Sequence, residues 1–352
     1  MYPDTFVSGF SDAKETKKMV YQSLGNTGLK LSKLSFGGAA FGGIHCYGNY
    51  EKEEACKTLI DAIRCGINFI DTAPHYGLGE AETFLGTVLK QVPRSSYYIS
   101  TKVGRFGNNF DFTFKGVFES FEKSLERLQL NNVDIVIVSI HDVEFADSLD
   151  IILNETLPAV EKFVKLRKAN FIGISGYPLS LLLAIVKKSK IKIDCILTYS
   201  RNTLIDNTLQ DYIPLFLKEG VGVMNAGCLG MRLLTNYGPP DWHPASKEIK
   251  EICHSASNYC EKNGVELGHL ALYHAFNQPG SSTYIIGMNE RKLLQSNLNI
   301  LREGLNKKEL QLLEILRDRF FSPNNKYHWE GIELQLYKQK KNKILNQPRG
   351  KS

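Results

Sequence analysis

The stretch "NFIDTAPHYGLGEAETFLG", Asn68 to Gly86, decides the architecture. It opens as a short apolar run that ends on Asp71. A turn-rich link with Pro74 and Gly77 follows, then a segment with apolar residues at helical spacing. That is one strand–turn–helix unit. Asp71 and Tyr76 do nothing for a core, yet they stand where the buried strand ends.

The same unit recurs along the chain. The apolar runs are "LSKLSFGG", "INFID", "YYISTK", "VDIVIVSIH", "NFIGIS", "IDCILTYS", "VGVMNAG" and "STYIIG". Between them lie helix-like segments such as "EEACKTLIDAIRC", "GVFESFEKSLERL" and "LSLLLAIVKKSK". Continuous apolar strands alternating with helices read as a parallel sheet covered by helices. Eight units fit an α/β fold closed as a (β/α)8 TIM barrel, and 352 residues suit such a barrel as one domain. An open doubly wound sheet is the alternative, but no GxGxxG follows the first strand. The chain divides into an N-terminal extension (1–18), the barrel (19–332) and a basic C-terminal tail (333–352).

Composition narrows the class. With 43% apolar and 23% charged residues this is an ordinary soluble globule. No apolar stretch is long enough to span a bilayer, and the first residues have no signal-peptide core, so the expected location is the cytoplasm. Cys46, Cys56, Cys65, Cys195, Cys228, Cys253 and Cys260 lack CxxC spacing and read as reduced thiols. No metal is called for. The sequon at Asn154 is a chance match for a chain with no secretory route. The net charge of +6 resides in Lys338, Lys340, Lys341, Lys343, Arg349 and Lys351. Such a tail can touch acidic surfaces, but its plain reading is a solvated end with no face to dock. No specific nucleic-acid partner and no membrane span are expected, and a monomer is.

In a barrel of this kind function sits at the C-terminal ends of the strands. Those ends are Gly38, Asp71, Lys102, His141, Ser175, Tyr199, Asn225 and Gly287. Taken alone, Asp71 reads as a cap, Lys102 as a solvated charge and His141 as a loop hydrogen bond. Together they describe a site. A phenol titrates near pH ~10, and a neighbouring ammonium moves it toward neutrality. Lys102 supplies that charge for Tyr76, Asp71 holds Lys102, and His141 donates to a substrate oxygen. The set suits proton transfer at an oxygen while a nicotinamide handles hydride, which no side chain can carry.

"DTAPHYG", "STKVGR" and "SIHD" resemble the aldo-keto reductase superfamily. Its Asp, Tyr, Lys and His tetrad falls on Asp71, Tyr76, Lys102 and His141. "HDVEF", "NETLPAVEK", "FIGISGYPL", "GPPDWHPAS" and "IIGMNERKLLQSN" carry a closer similarity to its L-galactose dehydrogenase-like branch. The resemblance implies a dinucleotide extended across the barrel mouth. Gly38 and Ala39 would let the backbone approach the nicotinamide end, beside Asp71, and Ser175 would bind its carboxamide. Ala226, Gly227, Cys228, Leu229 and Gly230 would cover the pyrophosphate. Gly287, Met288 and Asn297 would embrace the adenosine half.

The chain departs from that pattern in places. Where relatives read Ser-Pro-Leu it has Gly227, Cys228, Leu229, and Arg232 stands where a glycine is common. Arg232 either disturbs the loop or supplies a charge-assisted phosphate contact. Gly287 and Leu293 replace a basic pair that binds the 2′-phosphate of NADP, with Glu290 nearby and Arg291 and Lys292 as possible substitutes. The reading therefore favours NAD, with NADP possible. Cys228 reads as a small apolar filler rather than a redox thiol. The expected activity is an NAD(P)-dependent oxidoreductase acting on an aldose, or another carbonyl or alcohol. Tyr47, Phe106, Phe110 and Phe112 are candidate walls for a lipophilic substrate. The rival is a cofactor-binding regulatory barrel without turnover.

Overall fold

The computed structural model describes residues 2–107, 109–138, 145–146, 148–321 and 327–345. Its centre is a closed barrel of eight parallel strands. They are β1 (Leu34–Gly37), β2 (Phe69–Asp71), β3 (Tyr98–Val103), β4 (Ile135–Val138), β5 (Phe171–Gly176), β6 (Cys195–Tyr199), β7 (Gly222–Ala226) and β8 (Thr283–Ile286). Each coincides with an apolar run quoted above, β3 and β5 continuing one residue past theirs, to Val103 and Gly176. Each pairs with its sequence neighbours, and β8 closes on β1 through Ile286 opposite Phe36.

Side chains alternate across each strand, so the barrel has two apolar layers. Phe69, Ile135, Ile137, Cys195, Leu197, Met224 and Ile285 fill the interior. Ile70, Val136, Val138, Ile196 and Val223 face outward under the helices. The covering helices include Lys52–Arg64, Glu80–Leu89, Phe114–Leu128, Leu157–Lys165 and Leu209–Lys218. Their apolar stripes supply Leu59, Leu85, Phe121, Val160 and Phe216 to the outer layer. No described helix is long and apolar enough to cross a membrane.

An antiparallel hairpin precedes the barrel, with Tyr21–Ser23 paired to Lys30–Ser32. Its Leu24 and Leu31 join the interior layer from below. Asn26 donates to the carbonyl of Gly220 just before β7, and Ser282 donates to the carbonyl of Ser23 just before β8. The first residues belong to this end too. Thr5 Oγ1 accepts from Asn68 at 3.1 Å, and Glu15 binds Arg302 at 2.6 Å.

The C-terminal tail differs from the solvated end expected of it. Ile332–Leu345 forms a helix, and the Tyr337 ring lies 4.9 Å from Phe110 and 5.2 Å from Phe145. The helix lacks a broad apolar stripe. It is placed instead by a few aromatic and polar contacts spaced one turn apart, which no hydrophobic periodicity announces.

Candidate active site

The register of β2 and β3 sets Asp71 opposite Ser100. Period-two alternation turns Asp71 inward with Phe69, and Ser100 and Lys102 inward together. Asp71 and Lys102 are each 2% exposed. Lys102 Nζ donates to Asp71 Oδ2 at 2.6 Å, to the Thr72 carbonyl at 2.9 Å and to Tyr76 Oη at 3.2 Å. Ser100 donates to the other Asp71 oxygen at 2.8 Å. Three of the four tetrad positions therefore meet around one ammonium. His141 lies outside the described residues.

Tyr76 is delivered by the turn after β2. Gly77 takes φ 62°, and a Cβ there would stand 2.6 Å from the Gly42 carbonyl oxygen. A side chain at Gly77 would push the turn off its neighbour and carry Tyr76 with it.

The electrostatics pull in two directions. Burial raises the Tyr76 phenol above its usual range, and Lys102 lowers it by charge and hydrogen bond; burial prevails. The expected shift toward neutrality is thus not reached by Lys102 alone, because an apolar wall disfavours the phenolate. Burial would lower Lys102, but Asp71 and Tyr76 more than reverse this and keep its ammonium charged. His75 is driven down to about 3 by burial and by the cations Arg105 and Lys102, so it stays neutral.

The sites named for a dinucleotide gather mainly in an arc over β7, β8 and β1, while Asp71 stands on β2 and Ser175 on β5. Gly38 is buried and a Cβ there would meet Thr72 Oγ1 at 2.8 Å, so only glycine leaves the backbone open. Gly287 is exposed and abuts Ala40, next to half-buried Ala39. Met288 and Ser175 are buried, and Asn297 is half-buried. Thr72 Oγ1, Ser200 Oγ and Asn225 Oδ1 are buried without a partner among the described residues. These orphaned polar atoms beside the arc fit a polar cofactor that supplies their missing partners.

The loop after β7 is held from outside. His243 Nε2 lies 2.9 Å from the Gly230 carbonyl, and its Nδ1 accepts from Ala245 at 3.1 Å. Burial takes its ring down to about 4, so it is neutral and donates through Nε2. Met231 and Arg232 adopt left-handed backbone, which lets the loop turn despite the missing glycine. Arg232 lies over Tyr237 at 5.7 Å. Cys228 is 1% exposed and burial pushes its thiol up to about 12, which fits a filler.

The candidate aromatic walls separate. Phe112 is in the core at 4% exposure. It packs against Gly104, so the run after β3 turns that ring inward. Phe110 stacks on Phe145, Phe106 remains open, and Tyr47 meets Trp242 at 6.0 Å. Sequence reasoning missed Ser100 and His243. Ser100 was accessible through its two-residue spacing from Lys102. Among the described residues no group of His, Cys, Asp and Glu forms a metal site.

A parallel barrel with a Lys–Asp–Tyr cluster at the C-terminal ends of adjacent strands defines a class of oxidoreductase. The aldo/keto reductase family model matches residues 33–318, and the chain belongs to that family. It is an NAD(P)-dependent oxidoreductase. It is similar to L-galactose dehydrogenase of Arabidopsis thaliana, 39% identical over 85% of this chain and 94% of that protein. It is also similar to D-arabinose 1-dehydrogenase of Saccharomyces cerevisiae, 31% identical over 86% of this chain and 94% of that one. In fold it matches a holo aldo-keto reductase of Bacillus halodurans, with a TM-score of 0.64 and 24% identity over 85% of this chain and 96% of that one.

Proposed function

We propose that the protein is an NAD-dependent aldose 1-dehydrogenase that oxidises the anomeric carbon of a cyclic sugar to a lactone, in the manner of L-galactose dehydrogenase. The observation that carries this is the Lys102 ammonium, 2.6 Å from Asp71 and 3.2 Å from Tyr76. Nicotinamide, when bound, supplies the hydride acceptor. Tyr76 as phenolate takes the proton of the anomeric hydroxyl, and in the reverse direction the phenol returns it. Lys102 stabilises the phenolate, Asp71 and Ser100 hold Lys102, and His141 orients the oxygen.

The dinucleotide would be held by Gly38, Ala39, Asp71, Ser175, the loop Ala226–Gly230 with Arg232, and Gly287, Met288 and Asn297. NAD is favoured because Gly287 and Leu293 carry no charge and Arg291 is forked on Glu54, with both contacts at 3.0 Å. All these groups come from one chain, so a monomer suffices. The free cysteines suit a reducing cytoplasm.

The test is turnover. The purified protein is mixed with NAD or NADP and a panel of aldoses, simple alcohols and carbonyls, and reduced nicotinamide is followed by absorbance. Lactone formation from an aldose with NAD is expected. Tight cofactor binding with no turnover on any substrate would replace this reading with a regulatory barrel.

A further inference from the structure

The segment before the C-terminal helix is fastened to one side of the barrel mouth. Trp329 is 1% exposed and stacks on Tyr177 at 5.3 Å, and its backbone N–H donates to the Tyr177 hydroxyl at 3.2 Å. Glu330 accepts from Arg201 at 2.7 Å. Arg201 is itself buried, bound to Asp206 and lying over the Tyr177 ring at 4.1 Å. The helix therefore leaves from a fixed point above β5 and β6.

Two half-buried residues one turn apart, Glu333 and Tyr337, then contact the barrel. Tyr199 donates to Glu333 Oε2 at 3.1 Å. Tyr199 ends β6, and its ring stacks on Tyr177 at 4.9 Å in the apolar cluster that also holds Trp329, on this side of the mouth. Tyr337 rests on Phe110 and Phe145, which follow β3 and β4. One face of the helix thus links the β6 side of the mouth to the side that carries Lys102.

We propose that Glu333 is a specificity-determining residue, whose carboxylate accepts a hydrogen bond from a hydroxyl of a polyhydroxylated substrate seated at Tyr76. This rests on the aldose reading and adds to it the group that recognises the sugar. A carboxylate has acceptor sites for about four donors. Among the described residues Tyr199 is the donor that reaches this one. Burial raises the Glu333 carboxyl, and Tyr199 and Arg105 offset that only in part. A substrate hydroxyl adds a donor where water is scarce. A carbonyl compound without hydroxyls adds none and leaves the carboxylate desolvated, which is how a polar site rejects an apolar analogue.

The experiment compares kcat/KM for an aldose with kcat/KM for an unhydroxylated aldehyde or alcohol. It is run on the full chain and on Glu333→Leu, Glu333→Gln and the exposed control Gln335→Leu, with melting temperatures as a check on folding. The ratio should fall roughly tenfold or more in Glu333→Leu, the scale of a hydrogen bond to a charged group. It should fall less in Glu333→Gln, which keeps an acceptor oxygen, and hold in Gln335→Leu. A Glu333→Leu ratio within twofold of wild type overturns the proposal while leaving the dehydrogenase reading intact. A wild-type protein that turns over simple carbonyls but no aldose overturns both.

Discussion

Two buried cations flank the barrel mouth, and they are used differently. Lys102 and Arg201 are 2% and 1% exposed, and each meets an aspartate and a backbone carbonyl. The third acceptor of Lys102 is Tyr76, a group that can gain or lose a proton. The further partners of Arg201 are Glu330, Thr208 and the Tyr177 ring, none of which needs to change. A compact ammonium leaves a direction open for chemistry, whereas a planar guanidinium fork spans several partners and fixes them. A buried ion pair is thus no sign of catalysis by itself. What its remaining acceptor can do decides.

The comparison breaks first at Tyr76. Tyr76→Phe should lower kcat by roughly 10²–10⁴-fold, the usual range for a general acid–base group. Cofactor binding, followed by fluorescence quenching, should stay near wild type. Retained turnover would remove Tyr76 from the mechanism.

Lys102→Met and Arg201→Met sharpen the contrast. Each leaves a buried carboxylate without its cation, a loss of about 3–5 kcal/mol that denaturant titration would detect in both. Only Lys102→Met should reshape the pH–rate profile. In the wild type the phenolate fraction grows with pH up to the raised Tyr76 value, so oxidation should accelerate into the alkaline range. Reduction uses the phenol and should slow there. Without Lys102 the oxidation limb should move to still higher pH. An unchanged limb would mean that Lys102 is as structural as Arg201.

His243 offers a smaller effect. Its folded value is about 4 against an ordinary 6.5, so the folded state favours the neutral ring. That contribution is present above 6.5 and is lost as pH falls from 6.5 through 4. The melting temperature should drop across that window, and His243→Gln should flatten part of the drop. Equal slopes for the two proteins would deny the loop this latch.

The smallest change concerns cofactor choice. Glu54→Gln removes the charge that engages Arg291 and should improve NADP(H) binding by a few-fold relative to NAD(H), a surface electrostatic effect that salt screens. A wild-type preference for NADP(H) that disappears in Arg291→Ala would overturn the choice of NAD.

The barrel and the Lys102 cluster were legible because both obey local rules. Every strand is a short apolar run, and Asp71 and Lys102 stand at strand ends. Ser100 obeys period two but looks ordinary inside "ISTK". Arg201 and Glu330 are 129 positions apart, and no local pattern links such partners. The tail misled for a related reason. Its basic composition describes solvent-facing positions such as Lys338, while Glu333 and Tyr337 make the contacts. "GPPDWHPAS" carried a likeness to relatives, but the latch it forms depends on a carbonyl thirteen residues earlier, at Gly230.

The hairpin beneath the barrel has a kinetic consequence. Leu24 and Leu31 stopper the far end of the interior layer, so among the described residues the Lys102 cluster opens toward the opposite end. A dinucleotide bound over Gly38 would share that opening with substrate and product. With a shared opening, the reactant that seats deepest would arrive first and depart last.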